Sequence, residues 1–314
     1  MQKLLLALVA AAAIIAIHAQ AADRKIILIA GKVSHGPGDH EFRAGCLLLK
    51  KCLDGVPGVR LEVHTNGWVQ TDSAFNDAAA VVLYSDGGGG HPFIQDDHMQ
   101  VINGLVKKGV GIGCMHFAVE VPKGLAGQAM SDWIGGCYED RYSCNPMWTP
   151  EFNTFPNHPI TRGVKPFALR DEWYFNLRFH PNLEGITPIL VAKPSDTVRD
   201  GPYVWPAGPY PHIQANKGRD ETMMWACVRP DGGRGFGWTG GHYHKNWGND
   251  GYRRVVLNAI LWVAKAEMPA NGVDCIVTEA DLKQNLDEKG QKKAAAPPPP
   301  PKPEPFVSPT TGAK

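Results

Sequence analysis

The stretch that most constrains the fold is Gly109-Val-Gly-Ile-Gly-Cys-Met-His116. It is a short apolar run, entered from the basic end of a helix-like segment, Leu105-Val-Lys-Lys108, and left at a histidine. A run of this length between a helix and a turn reads as a fully buried parallel strand. Parallel neighbours need crossover connections, and the chain supplies helical patterns at 41–53 and 94–108 among apolar segments at 26–30, 59–64, 78–84 and 110–115. The alternation predicts an α/β fold, a doubly wound and mostly parallel sheet with helices on both faces. Further strands are expected at 186–192, 221–229 and 234–239, the last two forming a hairpin around Pro230-Asp-Gly-Gly233, and a closing amphipathic helix at 252–266.

In open sheets of this kind ligands bind at the carboxyl ends of the strands, so the polar residues at those ends are the candidates for function. His116 ends the central strand. The loop after the first strand carries His35, Asp39, His40 and Glu41, with Asp39 placed to cap the next helix. The loop after the third begins Ser85-Asp-Gly-Gly-Gly-Gly and offers Asp86 and open amides such as that of Gly87. It lacks the GxxxxGK[ST] pattern of a phosphate loop. In Gly240-Gly-His-Tyr-His244 an extended backbone would aim His242 and His244 to one side. In Asp171-Glu-Trp-Tyr174 adjacent carboxylates on a strand face opposite ways, so at most one can reach a shared pocket. A core histidine bonded to a backbone carbonyl is the plainer reading of His116; the number of polar strand ends able to meet it favours a functional one.

The ends of the chain read differently. Residues 1–21 have a basic start, an apolar run and a closing Ala19-Gln20-Ala21, the form of a secretory signal peptide, so the protein is expected to be exported, periplasmic or extracellular. No later segment is apolar for long enough to cross a membrane. One domain is expected over 22–268, then an appendage at 269–293 and a proline-rich, extended tail at 294–314. A formal net charge of +1 gives no reason to expect a nucleic acid partner, and a homo-oligomer is left open. Export would permit disulfides. Of the seven cysteines, only Cys137 and Cys144, in one Gly- and Tyr-rich loop, are near enough in sequence to suggest a bridge, while Cys114 and Cys227 sit in apolar runs as core residues.

Six segments taken together resemble the ThuA-like (trehalose-utilisation) family of the class I glutamine-amidotransferase-like superfamily. They are Gly113-Cys-Met-His-Phe-Ala118, Trp133-Ile-Gly-Gly136, His158-Pro-Ile160, Asp171-Glu-Trp-Tyr174, Gly240-Gly-His242 and the last helix with Arg254, Asn258 and Trp262, spanning roughly 25–265. The resemblance implies a flavodoxin-like sandwich and a link to carbohydrate metabolism. Where glutamine amidotransferases of the superfamily place a nucleophilic cysteine at the strand-to-helix elbow, this chain has His116; Cys114 lies two residues deeper on the same side of the strand. Glutamine hydrolysis is therefore not expected.

The chemistry expected is acid-base. His116 and His242 would straddle a sugar or keto-sugar and move protons during hydrolysis, elimination or isomerisation, with Glu172 orienting one of them or acting as the second acid-base group. Such help is typically worth about 10² to 10⁴ in rate. His40, Asp86, Gly87, Trp173, Tyr174 and His244 would contact the substrate. A metal variant uses the same residues: three histidines and a carboxylate could hold zinc, with His116, His242 and His244 as candidate ligands, although no HExxH motif supports it. The competing class is a carbohydrate-binding or scaffold module without chemistry, in which Trp173, Tyr174, Tyr243 and Trp247 stack on sugar faces.

Overall fold

The computed structural model describes residues 23–290; the expected signal peptide and the proline-rich tail lie outside them. The central sheet has seven strands: β1 (Arg24–Ala30), β2 (Val59–His64), β3 (Ala78–Tyr84), β4 (Gly111–Met115), β5 (Ile186–Ala192), β6 (Glu221–Val228) and β7 (Arg234–Trp238), in the order β5-β6-β7-β4-β3-β1-β2. The five strands from β2 to β7 are parallel, while β6 pairs antiparallel with both β5 and β7. The predicted hairpin is thus present, its second arm continuing the parallel part of the sheet.

Beyond their first one or two residues the interior strands are apolar because both of their faces are covered. On β1, Ile26, Leu28 and Ala30 enter one core and Ile27 and Ile29 the other; on β3, Ala80, Val82 and Tyr84 oppose Val81 and Leu83. The first core is closed by α1 (Phe42–Leu53) and by the closing helix, the second by α2 (His98–Lys107) and α3 (Leu125–Ile134). Phe42, Cys46, Leu49 and Leu53 give α1 its apolar stripe, and each such fully buried side chain stabilises by about 1.5–3 kcal/mol. The closing helix, α4 (Asp250–Val263), is capped by Asn249, whose side-chain Oδ1 accepts from Tyr252 N at 3.0 Å.

Two helix starts differ from expectation. Asp39 does not cap α1; Glu41 takes the cap position without a side-chain cap bond, its carboxylate accepting from Gly38 N, ahead of the helix, at 2.9 Å. The pattern from 94 to 108 divides into a 3₁₀ turn at Pro92–Ile94 and α2, because the backbone between them is extended at Gln95 and left-handed at Asp96 (φ +45°).

The cysteine expectation is also corrected. Cys137 and Cys144 are free and buried, and the bridge joins Cys52 on α1 to Cys275, 223 residues away in sequence. It pins the segment after α4, which crosses back over α1. Val273 is buried there with its N–H donating to Asn258 Oδ1 at 2.8 Å, and Lys51 pairs with Asp281. The Lys289 ammonium reaches Glu41 Oε1 at 3.3 Å and the His40 carbonyl at 3.2 Å, so the segment ends against the loop that carries His40. Cys275→Ser is expected to lower stability by about 2–5 kcal/mol, since the bridge closes a very long loop. Urea unfolding checks this: reductant should bring the wild type down to the variant and leave the variant unmoved, and a wild type indifferent to reductant would refute it.

Candidate functional site

Four carboxyl-end segments converge above the middle of the sheet. The loop after β1 carries His40, the loop after β3 carries Asp86, β4 ends at His116 and the loop after β7 carries His242. The register aligns them: Tyr84 pairs with Met115, and Met115 with Trp238, so the next residues of three strands emerge side by side. This lies by the point where the strand order reverses, where doubly wound sheets bind ligands. Glu172 comes from outside the sheet. It sits on a two-residue strand, Asp171–Glu172, paired with Met147–Trp148 in the excursion between β4 and β5.

His40, His116, Glu172 and His242 are all buried, and one donor atom from each lies within 4.8 Å of the other three. His40 Nε2 is 3.0 Å from His242 Nδ1 and 3.0 Å from His116 Nε2. Glu172 Oε2 is 2.8 Å from His242 Nδ1 and 3.6 Å from His116 Nε2.

The outer nitrogens fix the tautomers. His116 Nδ1 meets the carbonyl oxygen of Thr239 at 3.0 Å, and a carbonyl only accepts, so the ring proton is on Nδ1 and the lone pair of Nε2 faces inward. His40 Nδ1 likewise donates to Asp86 Oδ1 at 2.7 Å and turns its Nε2 lone pair toward that of His116. Two lone pairs in buried contact repel unless a proton or a cation lies between them. A tetrahedral zinc site, with bonds near 2.0–2.2 Å, separates its ligand atoms by about 3.3 Å, in the range found here. A carboxylate or carbonyl behind each imidazole is the usual support for a metal-binding histidine.

Burial, followed by the proximity of His40 and His242, holds His116 well below the ordinary imidazole range. Burial, then His35 and His242, lowers His40 as well, so both rings are neutral donors at neutral pH. Burial also opposes a charge on His242, but its hydrogen bond with Glu172, and the charges of Glu172 and Asp39, outweigh this and raise it. Burial raises Glu172, only partly offset by its hydrogen bond with His242.

The backbone is strained at two of these residues: φ is +59° at His116 and +48° at His40, a region that side chains other than glycine seldom adopt and that recurs at functional sites. At Gly241, with φ +118°, a Cβ would lie 3.1 Å from His116 Cβ and from the Tyr84 and Trp238 rings, so only glycine brings His242 this close to His116. Asp171, pointing the opposite way from Glu172 as the strand alternation requires, is fully buried and accepts from Gly241 N and His242 N at 3.0 and 3.1 Å.

His40, Glu172 and His242 line a 560 Å³ cavity, with His116 buried beyond the lining; its walls include Glu120, Tyr174 and Asn145 and its rim carries Trp205. Tyr174 places its hydroxyl 3.5 Å from His116 Nε2. Asp86 reaches the cluster only through His40. Gly87 is packed against the backbone from Phe117 to Glu120, where a Cβ would lie 2.1 Å from Phe117 O; its neighbours Gly88 and Gly89 face the cavity.

Other candidates are elsewhere. His244 opens the 3₁₀ turn His244–Gly248, so the two-residue periodicity that would set it beside His242 does not apply, and its ring is buried toward Glu41 and Lys289. Trp173 and Trp247 are fully buried core residues and cannot stack on a ligand. Sequence reasoning missed Glu120 and Asn145, and left Trp205 among the tryptophans of the second half that could line a sugar pocket or fill the core. For Trp205 there was a signal, a large aromatic in the core-poor segment Gly201-Pro-Tyr-Val-Trp-Pro-Ala-Gly-Pro209.

Among curated proteins none matches this sequence. Among solved structures the chain is similar to a ThuA-like protein from Bacteroides uniformis, with 14% identity and a TM-score of 0.54 over 77% of this chain and 92% of that one. It is similar to a second ThuA-like protein, from Parabacteroides merdae, with 14% identity and a TM-score of 0.52 over 82% and 94%. At these identities the likeness establishes the fold. The ThuA family profile, described as trehalose utilisation, matches residues 31–263, and the chain therefore belongs to the ThuA family.

Proposed function

We propose that the chain is a metal-assisted carbohydrate enzyme: His40, His116, His242 and Glu172 hold a divalent ion of the zinc class, and the cavity above them receives a sugar or keto-sugar for hydrolysis, elimination or isomerisation. The observation that carries this reading is the convergence of four buried donor atoms within 4.8 Å, two of them fixed with their lone pairs facing. The trehalose-utilisation description of the family supports the substrate class. The basic start, apolar run and Ala19-Gln20-Ala21 of residues 1–21, and the Cys52–Cys275 bridge, support a further proposal, that the protein is exported.

A bound ion would supply Lewis-acid polarisation and water activation. The rest falls to the chain. Thr239 O and Asp86 hold the His116 and His40 rings in the ligating tautomer, and Asn145 Nδ2 donates to Glu172 Oε1 at 2.8 Å and fixes the carboxylate plane. Glu120, in the wall of the same cavity and outside the donor set, is the proton donor. Burial first, then repulsion from Asp140 and Glu172, raises its pKa to about 8, so its carboxyl is protonated at neutral pH and can protonate a departing sugar oxygen.

The test is elemental analysis of the purified protein, titration of the stripped protein with zinc, and product analysis on a panel of sugars and keto-sugars. One ion per chain with turnover is expected; a folded protein that rebinds no metal would sink the metal centre. Because Glu120 works in its protonated form, turnover should fall as pH rises through about 8. Glu120→Gln should retain metal and reduce turnover by about 10² to 10⁴.

A further inference from the structure

We propose that Trp205 is a stacking platform for a second sugar ring, which makes the ligand of this cavity a disaccharide or other glycoside rather than a free monosaccharide. The inference rests on the carbohydrate reading above and deepens it.

Nine tryptophans are present. Seven of them, Trp133, Trp148, Trp173, Trp225, Trp238, Trp247 and Trp262, are at most 5% exposed, and Trp68 is stacked on the His98 ring. Trp205 alone is turned outward, 76% exposed, at the rim of the cavity that His40, His242 and Glu172 line. Its neighbour Val204, also in the cavity lining, is 46% exposed.

The backbone that carries Trp205 is held in place. Trp205 N donates to Asn145 Oδ1 at 3.1 Å and Val204 N to Asn145 O at 3.3 Å. On the other side Tyr203 is buried, its N–H donates to Ala207 O at 2.8 Å, and its hydroxyl donates to Arg199 O. The amide of Asn145 that accepts from Trp205 is the one that donates to Glu172 Oε1, so rim and floor are registered through one side chain.

A pyranose has an apolar C–H face that covers an indole ring while its hydroxyls point sideways to polar groups, and Lys123 and Asp140 line the same cavity. The cavity, at 560 Å³, has the size of a pocket that takes a drug-sized ligand, more than one six-membered ring fills. A first ring at the floor therefore leaves space for a second beside Trp205.

Calorimetric titration of the zinc-loaded full chain with trehalose and with glucose, each also as its keto derivative, tests the platform. The wild type should bind the disaccharide about tenfold or more tighter than its monosaccharide. Trp205→Ala should erase that margin while leaving monosaccharide affinity and metal stoichiometry unchanged, and Trp205→Phe should retain most of it. Equal affinities in the wild type, or a disaccharide affinity unmoved in Trp205→Ala, would overturn the platform and leave the carbohydrate reading standing. A zinc-loaded wild type that binds none of these sugars would overturn both.

Discussion

His116→Ala is expected to abolish retention of a divalent ion and to lower turnover by about 10² to 10⁴ or more, with the fold intact. The ring is fully buried and contributes one of the four converging donor atoms, and the three that remain no longer enclose an ion. The fold should survive because the variant also removes the repulsive contact between two lone pairs, so unfolding of the metal-free variant should resemble that of the metal-free wild type. Since imidazoles ligate only when neutral, retention by the wild type should weaken as pH falls. His244→Ala is the control: its ring lies outside the cluster, and the variant should keep one ion per chain. Elemental analysis of both proteins decides the matter, and a His116→Ala protein that still carries one ion per chain would falsify the ligand assignment.

That contrast shows what the sequence could and could not convey. The strands were legible because residues buried on both faces leave an apolar run with no polar interruption, as in 78–84 and 110–115. His116, His242 and Glu172 were legible as candidates because each stands where a strand ends or alternates, and the fold brings them together. His40 was placed only among the substrate contacts, since nothing local indicates that its Nε2 meets His116 Nε2, 76 residues away. His244 misled because spacing by two implies a common side only while the backbone stays extended. Proximity in sequence favoured Cys137 with Cys144, whereas a bridge depends on proximity in space, and the fold sets Cys52 and Cys275 Cα atoms 5.3 Å apart. Glu120, Asn145 and Trp205 sit in turns and loops without periodicity, so only the folded arrangement joins them to the cluster.

The second large effect is expected at a residue that touches no ligand. Asp171 is fully buried, and its two oxygens serve five donors. Oδ1 accepts from Glu172 N at 2.9 Å and His242 N at 3.1 Å; Oδ2 accepts from Gly241 N at 3.0 Å, Asn246 Nδ2 at 3.1 Å and the Tyr252 hydroxyl at 2.5 Å. Asp171→Ala leaves these donors buried without an acceptor. Each would lose about 1–3 kcal/mol alone, but the turn relaxes as a unit, and a total near 3–5 kcal/mol is the reasonable scale for breaking a buried charged network. Asp171→Asn keeps the shape but turns an NH₂ group toward N–H donors, so it should fall between alanine and wild type. Because the same carboxylate orients both Glu172 and the 241–242 turn, zinc affinity should fall together with stability, whereas a purely structural residue remote from the cluster would lower stability alone. Urea unfolding of the stripped proteins, followed by zinc titration of the folded fraction, separates the two. A variant destabilised by this amount that bound zinc as tightly as the wild type would show that Asp171 supports the fold but does not position the donor set.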